Sequence, residues 1–349
     1  MIIPKIARYN YCCAKANEFL IKENINNLPF DSDKIIKKHK WSKLKYSELA
    51  KKHNVDISDI VEAYESEDGY SIFNGKNYSI AYNDTIKTKQ RIYFTKLHEI
   101  GHIYLRHFLD FEQTILKRSD MTEEEYKVLE NEANCFARNV LVPITLIEEL
   151  KIKCPARISV IFGITPSASN TRFHLSKNDL YYFSNNNLQD QKNLFHDFIY
   201  KNQCLQCGHS FISENAKFCP ICGRNRLTWG DGKMKYNDGY DLNTNGKANT
   251  CPKCENEETR GTGDYCKICG SNLVNKCTNL EGIFGEDYNG NQIIIKNACG
   301  ELAEGNARYC EYCGEATTFF NQNLLDEWQI AKPEIERSAN ERDPDYIPF

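Results

Sequence analysis

Two histidines and a glutamate lie close together in the segment 91–107, with the spacing of a metal-dependent hydrolase. His98 and His102 are four residues apart, so on a helix they lie one turn apart on the same face and both imidazoles can reach one cation. Glu99 is offset around the helix, where it can accept a proton from a metal-bound water without ligating the metal. The pattern predicts a catalytic zinc bound by His98 and His102, with Glu99 as the catalytic carboxylate.

The third ligand must come from elsewhere in the chain, because a catalytic zinc needs three protein ligands and an open position for water. The metzincin pattern would require a histidine six residues after the second one, but Phe108 occupies that place and His107 lies off the metal-binding face. A second helix offers glutamates instead. Glu130 is favoured, because Asn134 follows one turn later and can hydrogen-bond a ligating histidine. Glu132 is the reserve candidate.

The second pattern is made of cysteines: twelve of the 16 lie between positions 204 and 313, mostly as Cys-x-x-Cys pairs. Two such pairs with eleven residues between them can close a tetrahedral zinc site, and the same spacing occurs twice. A third set is stretched by an insertion. The pattern predicts three zinc ribbons in which the metal replaces a core that so short a segment cannot build. The three sets are Cys204, Cys207, Cys219 and Cys222; Cys251, Cys254, Cys266 and Cys269; and Cys277, Cys299, Cys310 and Cys313.

Cysteine use and charge indicate the compartment and the class of partner. Paired cysteines in a chain without a signal segment or an apolar membrane span indicate metal binding in the reducing cytoplasm, with no membrane association. Residues 1–200 carry 28 basic and 26 acidic side chains, a net of +2, and residues 201–349 carry 16 and 22, a net of −6. Nucleic acid is the weaker candidate partner, because its binding rewards clustered cations. The remaining cysteines are predicted to be buried thiols: Cys12, Cys13, Cys135 and Cys154.

The elements around these residues predict an α+β chain with a mainly helical first part. Helical apolar spacing alternates with a predicted hairpin at 69–82, whose Asn74-Gly75 pair suits a tight turn. Beyond residue 200 the composition changes to Cys-x-x-Cys turns separated by segments rich in Gly, Asn and Asp. The predicted domains are a metallopeptidase domain at 1–195, a ribbon at 200–227, a polar linker at 228–248, ribbons at 249–273 and 274–318, and a helix with a loose tail at 319–349.

The residues on the two helices resemble those of the ImmA/IrrE family of metallopeptidases. The resemblance implies a gluzincin-like core with a small β-sheet, and zinc held by His98, His102 and Glu130 with Glu99 as the catalytic group. It also implies cleavage of helix-turn-helix repressors. The shared motifs are Phe94-Thr-x-x-His98-Glu-x-Gly-His102 and Glu130-x-x-Ala133-Asn134-x-Phe136-Ala137-x-x-x-Leu141-Val-Pro143.

Two functions follow from these patterns. The first is a zinc-dependent endopeptidase that cuts a regulatory protein, with the ribbons serving partner binding or regulation. The alternative is a catalytically inactive zinc-ribbon transcriptional regulator or adaptor, which the helical pair at 156–172 would support through its likeness to a helix-turn-helix. The presence of Glu99 favours the enzyme, because a site without activity has no use for a carboxylate that does not hold the metal.

Overall fold

A computed structural model describes residues 3–112, 115–116, 121–259, 261 and 263–332 of the chain. They form two compact units, the first ending at Ile199 and the second beginning at Tyr200. Helices dominate the first unit and small sheets the second, which confirms the predicted α+β fold class. Among the described helices, none combines the length and the apolar character needed to cross a bilayer.

The described part of the first unit contains twelve helices. The longest, α7, begins with a capping box: the Thr122 hydroxyl accepts from the Glu125 amide, and the Glu125 carboxylate accepts from the Thr122 amide. The helices are α1 Tyr9–Lys22, α2 Ser32–Lys38, α3 Tyr46–His53, α4 Ile57–Tyr64, α5 Lys89–Tyr104, α6 His107–Asp110, α7 Glu123–Leu141, α8 Ile144–Glu149, α9 Pro155–Phe162, α10 Pro166–Tyr182, α11 Asn185–Leu194 and α12 His196–Ile199.

A three-stranded sheet packs beside α5 and places a strand over the histidine motif. Its strands are β1 Ser42–Lys45, β2 Gly69–Phe73 and β3 Tyr78–Tyr82, in the order β1-β3-β2. Strands β2 and β3 form the predicted antiparallel hairpin, and Gly75 supplies the positive φ of 84° at its turn. Strand β1 joins β3 in parallel. The edge strand β2 therefore faces the side of α5 that carries the motif.

Helices α5 and α7 pack closely because a glycine lies at their crossing. A Cβ atom on Gly101 would lie 3.0 Å from Cδ1 of Phe136 and 3.3 Å from the carbonyl oxygen of Ala133. Leu97 and Ile100 on α5 and Phe136 on α7 are fully buried around this crossing. The glycine inside the histidine motif thus lets the helix with the acidic candidates approach the helix with the histidines.

The second unit is built of short strands and turns. Strands β4 Lys201–Cys204, β5 Ser210–Ile212 and β6 Leu227–Trp229 form one sheet in the order β5-β4-β6. Strands β7 Ile283–Glu286 and β8 Gln292–Lys296 form a hairpin within the insertion of the third cysteine set, and α13 Thr318–Asn321 follows.

The segment 228–248, predicted to be a polar linker, packs into the second unit. Met234 and Tyr236 are buried against the first cysteine set, and Ala248 is buried with Phe319 and Leu325. Its sequence lacks periodicity because each apolar residue fills a separate gap rather than one face of a helix or strand. The predicted C-terminal tail lies in part, at residues 333–349, outside the described residues.

Candidate metal centre

The three predicted ligands meet between α5 and α7. Nε2 of His98 lies 3.0 Å from Nε2 of His102. The two oxygens of the Glu130 carboxylate lie 3.3 Å from the His98 nitrogen and 3.4 Å from the His102 nitrogen. This arrangement requires the helical spacing of the histidines and the close crossing at Gly101.

These separations fit a zinc ion. Zinc bonds to nitrogen and oxygen of about 2.0–2.2 Å place the ligand atoms of a tetrahedron about 3.3–3.5 Å apart. The observed distances of 3.0, 3.3 and 3.4 Å come close to those edges. Three ligands leave one tetrahedral position for water or substrate, as catalytic zinc sites require.

Two of the three ligand candidates, Glu130 and His102, have the protonation state that a metal needs. Burial alone would raise the pKa of Glu130, but His98 and His102 hold it well below its ordinary value of 4.5. Burial and the neighbouring His98 together lower the pKa of His102 to about 4, although Glu130 acts to raise it. The set therefore offers an ionised carboxylate and a neutral imidazole, which are the protonation states that metal ligands need. Burial acts to lower the pKa of His98, but Glu130 raises it to about 9, so His98 must lose a proton when it binds a cation.

Each histidine is held by a hydrogen bond at its other ring nitrogen. Nδ1 of His98 lies 3.0 Å from the side-chain oxygen of Asn134, the contact predicted from the helical spacing of α7. Nδ1 of His102 lies 2.8 Å from Nδ1 of His107. His107 was predicted to lie off the metal-binding face, and it contacts a ligand candidate rather than the metal position.

The reserve candidate Glu132 lies outside the ligand set. Its side chain is fully buried and accepts from Nε2 of His107 at 3.0 Å and from the Arg8 guanidinium at 2.7 and 2.9 Å. Burial would raise its pKa, but the hydrogen bonds from Arg8 and His107 lower it to about 2. Positions 130 and 132 lie about 200° apart around a helix, so one face cannot present both carboxylates to a single ion.

The predicted catalytic carboxylate lies beside the ligands and under β2. Glu99 is 6 % exposed, and its carboxylate accepts a hydrogen bond from the Ser71 hydroxyl. Burial raises the pKa of Glu99 to about 7, although His98 and Ser71 each act to lower it. A carboxylate with a pKa near neutrality is suited to both accepting and returning a proton. Ser71 was absent from the predicted site, because a lone serine in a strand carries no signal of its tertiary contacts.

A cleft of about 300 Å³ opens over these groups. Its walls include Phe94, Tyr64 and Tyr126 besides the ligand candidates and Glu99. Among the described residues that line the cleft, the tyrosines are Tyr64, Tyr70 and Tyr126.

The three cysteine sets also come together as predicted from their spacing. Within each set the sulfur atoms lie within 4.8 Å of one another. The closest pairs are 3.5 Å apart in the first set, 3.6 and 3.7 Å in the second, and 3.3 and 3.6 Å in the third. A zinc tetrathiolate has edges of about 3.8 Å, so each set is able to hold one zinc ion.

The four cysteines outside these sets divide differently from the prediction. Cys12, Cys13 and Cys135 are buried at the contact of α1 and α7, but Cys154 is exposed. The last one precedes Pro155 as the N-cap of α9, a position at the helix surface rather than in the core. Cys154 is therefore exposed because it caps the start of α9. The sequence predicts that this helix begins at residue 156, one residue after its observed start at Pro155.

Residues 50–168 match the peptidase family M78 by its IrrE N-terminal-like domain. The matched range contains α5, α7 and the sheet strands over the cleft, and it confirms the predicted resemblance. Peptidases of this family depend on zinc. The second unit lies beyond the matched range, and no curated protein matches the chain.

Proposed function

We propose that this M78-like domain is a zinc-dependent endopeptidase that cuts a regulatory protein. One observation carries the proposal: two imidazoles and a carboxylate lie within 3.4 Å of one another in a cleft that also holds Glu99. The proposed enzyme domain spans residues 1–195, which extends the matched range to include α1 and the N-terminal segment.

The roles of the side chains follow from their positions. His98, His102 and Glu130 would hold the zinc, and Asn134 would orient His98. Zinc bound there would acidify a coordinated water and polarise the peptide carbonyl. Glu99 accepts the proton of the attacking water and returns it to the leaving amine, and Ser71 fixes its carboxylate during both transfers.

The substrate is proposed to be a helix-turn-helix repressor, cut in an extended segment. The likeness to ImmA/IrrE peptidases supports the repressor. The size of the cleft supports the extended segment, because about 300 Å³ admits a few side chains and excludes a folded domain. An interdomain linker of a repressor meets this requirement.

The ribbons at 200–227, 249–273 and 274–318 are proposed to hold three structural zinc ions and to bind or regulate a protein partner. The sulfur geometry supports metal binding. The net charge of −6 over residues 201–349 becomes about −12 when each tetrathiolate site contributes a further −2. A surface of that sign favours a protein over a nucleic acid.

Glu99→Gln tests the proposal, because the amide keeps the shape of the side chain and loses the base. Wild type and variant should both contain four zinc ions per chain, one at His98, His102 and Glu130 and one at each of the three four-cysteine sets. Cleavage of a repressor encoded beside the gene should slow by about 10²–10⁴-fold in the variant, the usual contribution of a general base. The exposed Glu124 on the same unit, changed to Gln, serves as the matched control and should leave cleavage unchanged.

Three results would contradict this proposal. Cleavage at the wild-type rate by the Glu99→Gln variant would remove the assigned base. A wild-type zinc content no higher than that of His98→Ala would show that the helical site does not hold the metal. A wild-type chain that holds four zinc ions and binds the repressor without cutting it would favour the adaptor.

A further inference from the structure

One imidazole of the metal centre is connected to a chain of buried side chains that the proposed chemistry does not use. From His102 the contacts run to His107 at 2.8 Å, from His107 to Glu132 at 3.0 Å, and from Glu132 to Arg8 at 2.7 Å. The four residues come from α5, α6, α7 and the segment before α1. The contacts of Glu132 with His107 and Arg8 join residues 25 and 124 positions apart, so they are made by the tertiary fold.

The direction of the hydrogen bonds follows from the metal. If Nε2 of His102 is to bind a cation, the ring proton must lie on Nδ1, from which it is donated to Nδ1 of His107. His107 must then carry its own proton on Nε2, from which it is donated to Glu132. The Glu132 carboxylate fixes the tautomer of His107, because it only accepts hydrogen bonds. The tautomer of His107 in turn fixes that of His102.

Water cannot replace these contacts. His107 and Glu132 are both fully buried, and His102 is 3 % exposed. If His107 or Glu132 is removed, a buried ring nitrogen loses its partner and cannot hydrogen-bond water instead. The unpaired nitrogen then destabilises the metal-binding orientation of His102.

Arg8 makes the buried carboxylate possible. Its guanidinium donates to both oxygens of Glu132, and its backbone amide donates to Oε1 at 2.7 Å. A buried carboxylate without a cation would be strongly unfavourable. The segment before α1, which precedes the matched family range, therefore contributes to the metal centre.

We propose that His107, Glu132 and Arg8 are positioning residues that hold the His102 imidazole with its Nε2 directed at the metal. This inference rests on the proposed function, in which His102 is a zinc ligand. It assigns the two metal-binding histidines different supports: His98 has a neutral amide beside it, and His102 has a chain that ends in an ion pair.

A second buried ion pair in the same unit provides the comparison. Asp179 accepts from Arg138 and Arg172, each at 2.6 Å, and its side chain is fully buried. Like Glu132, Asp179 is a fully buried carboxylate that accepts from a guanidinium, but it has two arginine partners where Glu132 has one. Its hydrogen bonds do not include any of the proposed ligands among the described residues. Substitution of Asp179 therefore measures how much a buried ion pair contributes to the stability of the unit without a contact to the metal site.

The test is a chelator competition on full-length protein, with zinc as the probe. His98→Ala serves as the reference that holds only the three ribbon zinc ions, so the fourth zinc is identified by difference. His107→Phe keeps an aromatic ring of similar volume and removes both nitrogens. It should weaken binding of the fourth zinc by about 10–100-fold, the usual effect of losing an outer hydrogen bond to a ligand. Glu132→Gln should weaken it in the same direction.

Rescue and control separate positioning from packing. His107→Asn places an amide oxygen near the former Nδ1, so it should bind the fourth zinc more tightly than His107→Phe. Asp179→Asn should lower the thermal stability of the unit and leave the affinity for the fourth zinc unchanged. Helical circular dichroism of each variant shows whether the unit is folded.

The outcomes keep the two proposals distinct. If the wild type has no more zinc than His98→Ala, the proposed function fails. If the wild type holds the fourth zinc and His107→Phe holds it equally well, only the positioning role is overturned. The positioning role is also overturned if Asp179→Asn weakens zinc binding as much as Glu132→Gln does.

Discussion

The two units place metal-binding residues in opposite relations to a hydrophobic core. In the first unit the ligand candidates lie on helices whose apolar faces are already buried, with Leu97, Ile100 and Phe136 fully covered. In the second unit the cysteines are themselves much of the buried apolar surface. The core around the second set consists of Cys251 and Cys266 with Leu273.

This difference is consistent with the two proposed roles of zinc, catalytic in the first unit and structural in the second. A helical pair that buries its own core does not need an ion to fold, so a cation between the helices is available for chemistry. In the described part of the second unit, eight of the 17 buried apolar residues are cysteines, which leaves little other apolar surface to oppose the entropy of folding. A bound ion would supply the missing free energy. Catalytic and structural metals are thus distinguished by what surrounds them.

Complete removal of zinc should give the largest contrast between the units. Structural zinc contributes about 10–16 kcal/mol to small folded modules. We expect a strong chelator to unfold the second unit and to leave the helical circular dichroism of the first largely intact. Limited proteolysis would then cut after residue 200 and spare a fragment that ends near Ile199. Equal digestion of both units would contradict the comparison.

A single cysteine in the third set gives the next largest effect. Cys310→Ser removes one of four thiolates from a buried position and should release one zinc per chain. The loss should destabilise the second unit by several kcal/mol, because an incomplete site leaves its partners unpaired. Metal analysis and thermal unfolding measure both effects. The exposed Cys154, changed to Ser, is the matched control and should alter neither.

Local sequence signals were sufficient for the parts of each site that one element carries. The histidines lie one turn apart because a helix dictates it, and Asn134 reaches His98 because it lies one turn beyond Glu130 on α7. The cysteine spacing likewise determined which sulfur atoms meet. The fold class followed from the helical apolar spacing and the predicted hairpin before residue 200, and from the change in composition after it. That these residues are the ligands of the metal stays a prediction.

The remaining parts of the site depend on contacts between distant elements, which one sequence does not encode in any pattern. Ser71 reaches Glu99 from a strand 28 residues away, and Arg8 reaches Glu132 across 124 residues. Asn134 favoured Glu130 over Glu132 in the sequence, but the contacts of Glu132 with His107 and Arg8 become visible only in the packing of α7. The segment 228–248 looked polar because its buried residues are few and irregularly spaced.

Acid should destabilise the first unit through its own carboxylates, independently of any metal. Hydrogen bonds from Lys38, Tyr104 and His39 outweigh burial and lower the pKa of Glu23 from 4.5 to about 2. The stabilisation is therefore present above pH 4.5 and is lost as the pH falls towards 2. Near neutrality the free energy of unfolding of the wild type should exceed that of Glu23→Gln by on the order of 2 kcal/mol. At low pH this difference should vanish. Denaturant unfolding followed by helical circular dichroism measures it; a constant difference would refute the assignment.

The smallest expected effect on stability concerns the residue that brings the two helices of the metal centre together. Gly101→Ala places a methyl group 3.0 Å from the Phe136 ring and 3.3 Å from the Ala133 carbonyl, so the ring and the backbone of α7 must give by a few tenths of an ångström. The gain in helix propensity offsets part of the clash, which leaves a net loss of about 1–2 kcal/mol. Because α7 carries Glu130, zinc affinity at this site should fall more than stability alone suggests. Gly263→Ala, which meets no atom within 4 Å, is the matched control. Unchanged zinc affinity in Gly101→Ala would show that the site adjusts to the separation of its helices, and the contrast between a preformed site and the metal-built ribbons would then be weaker.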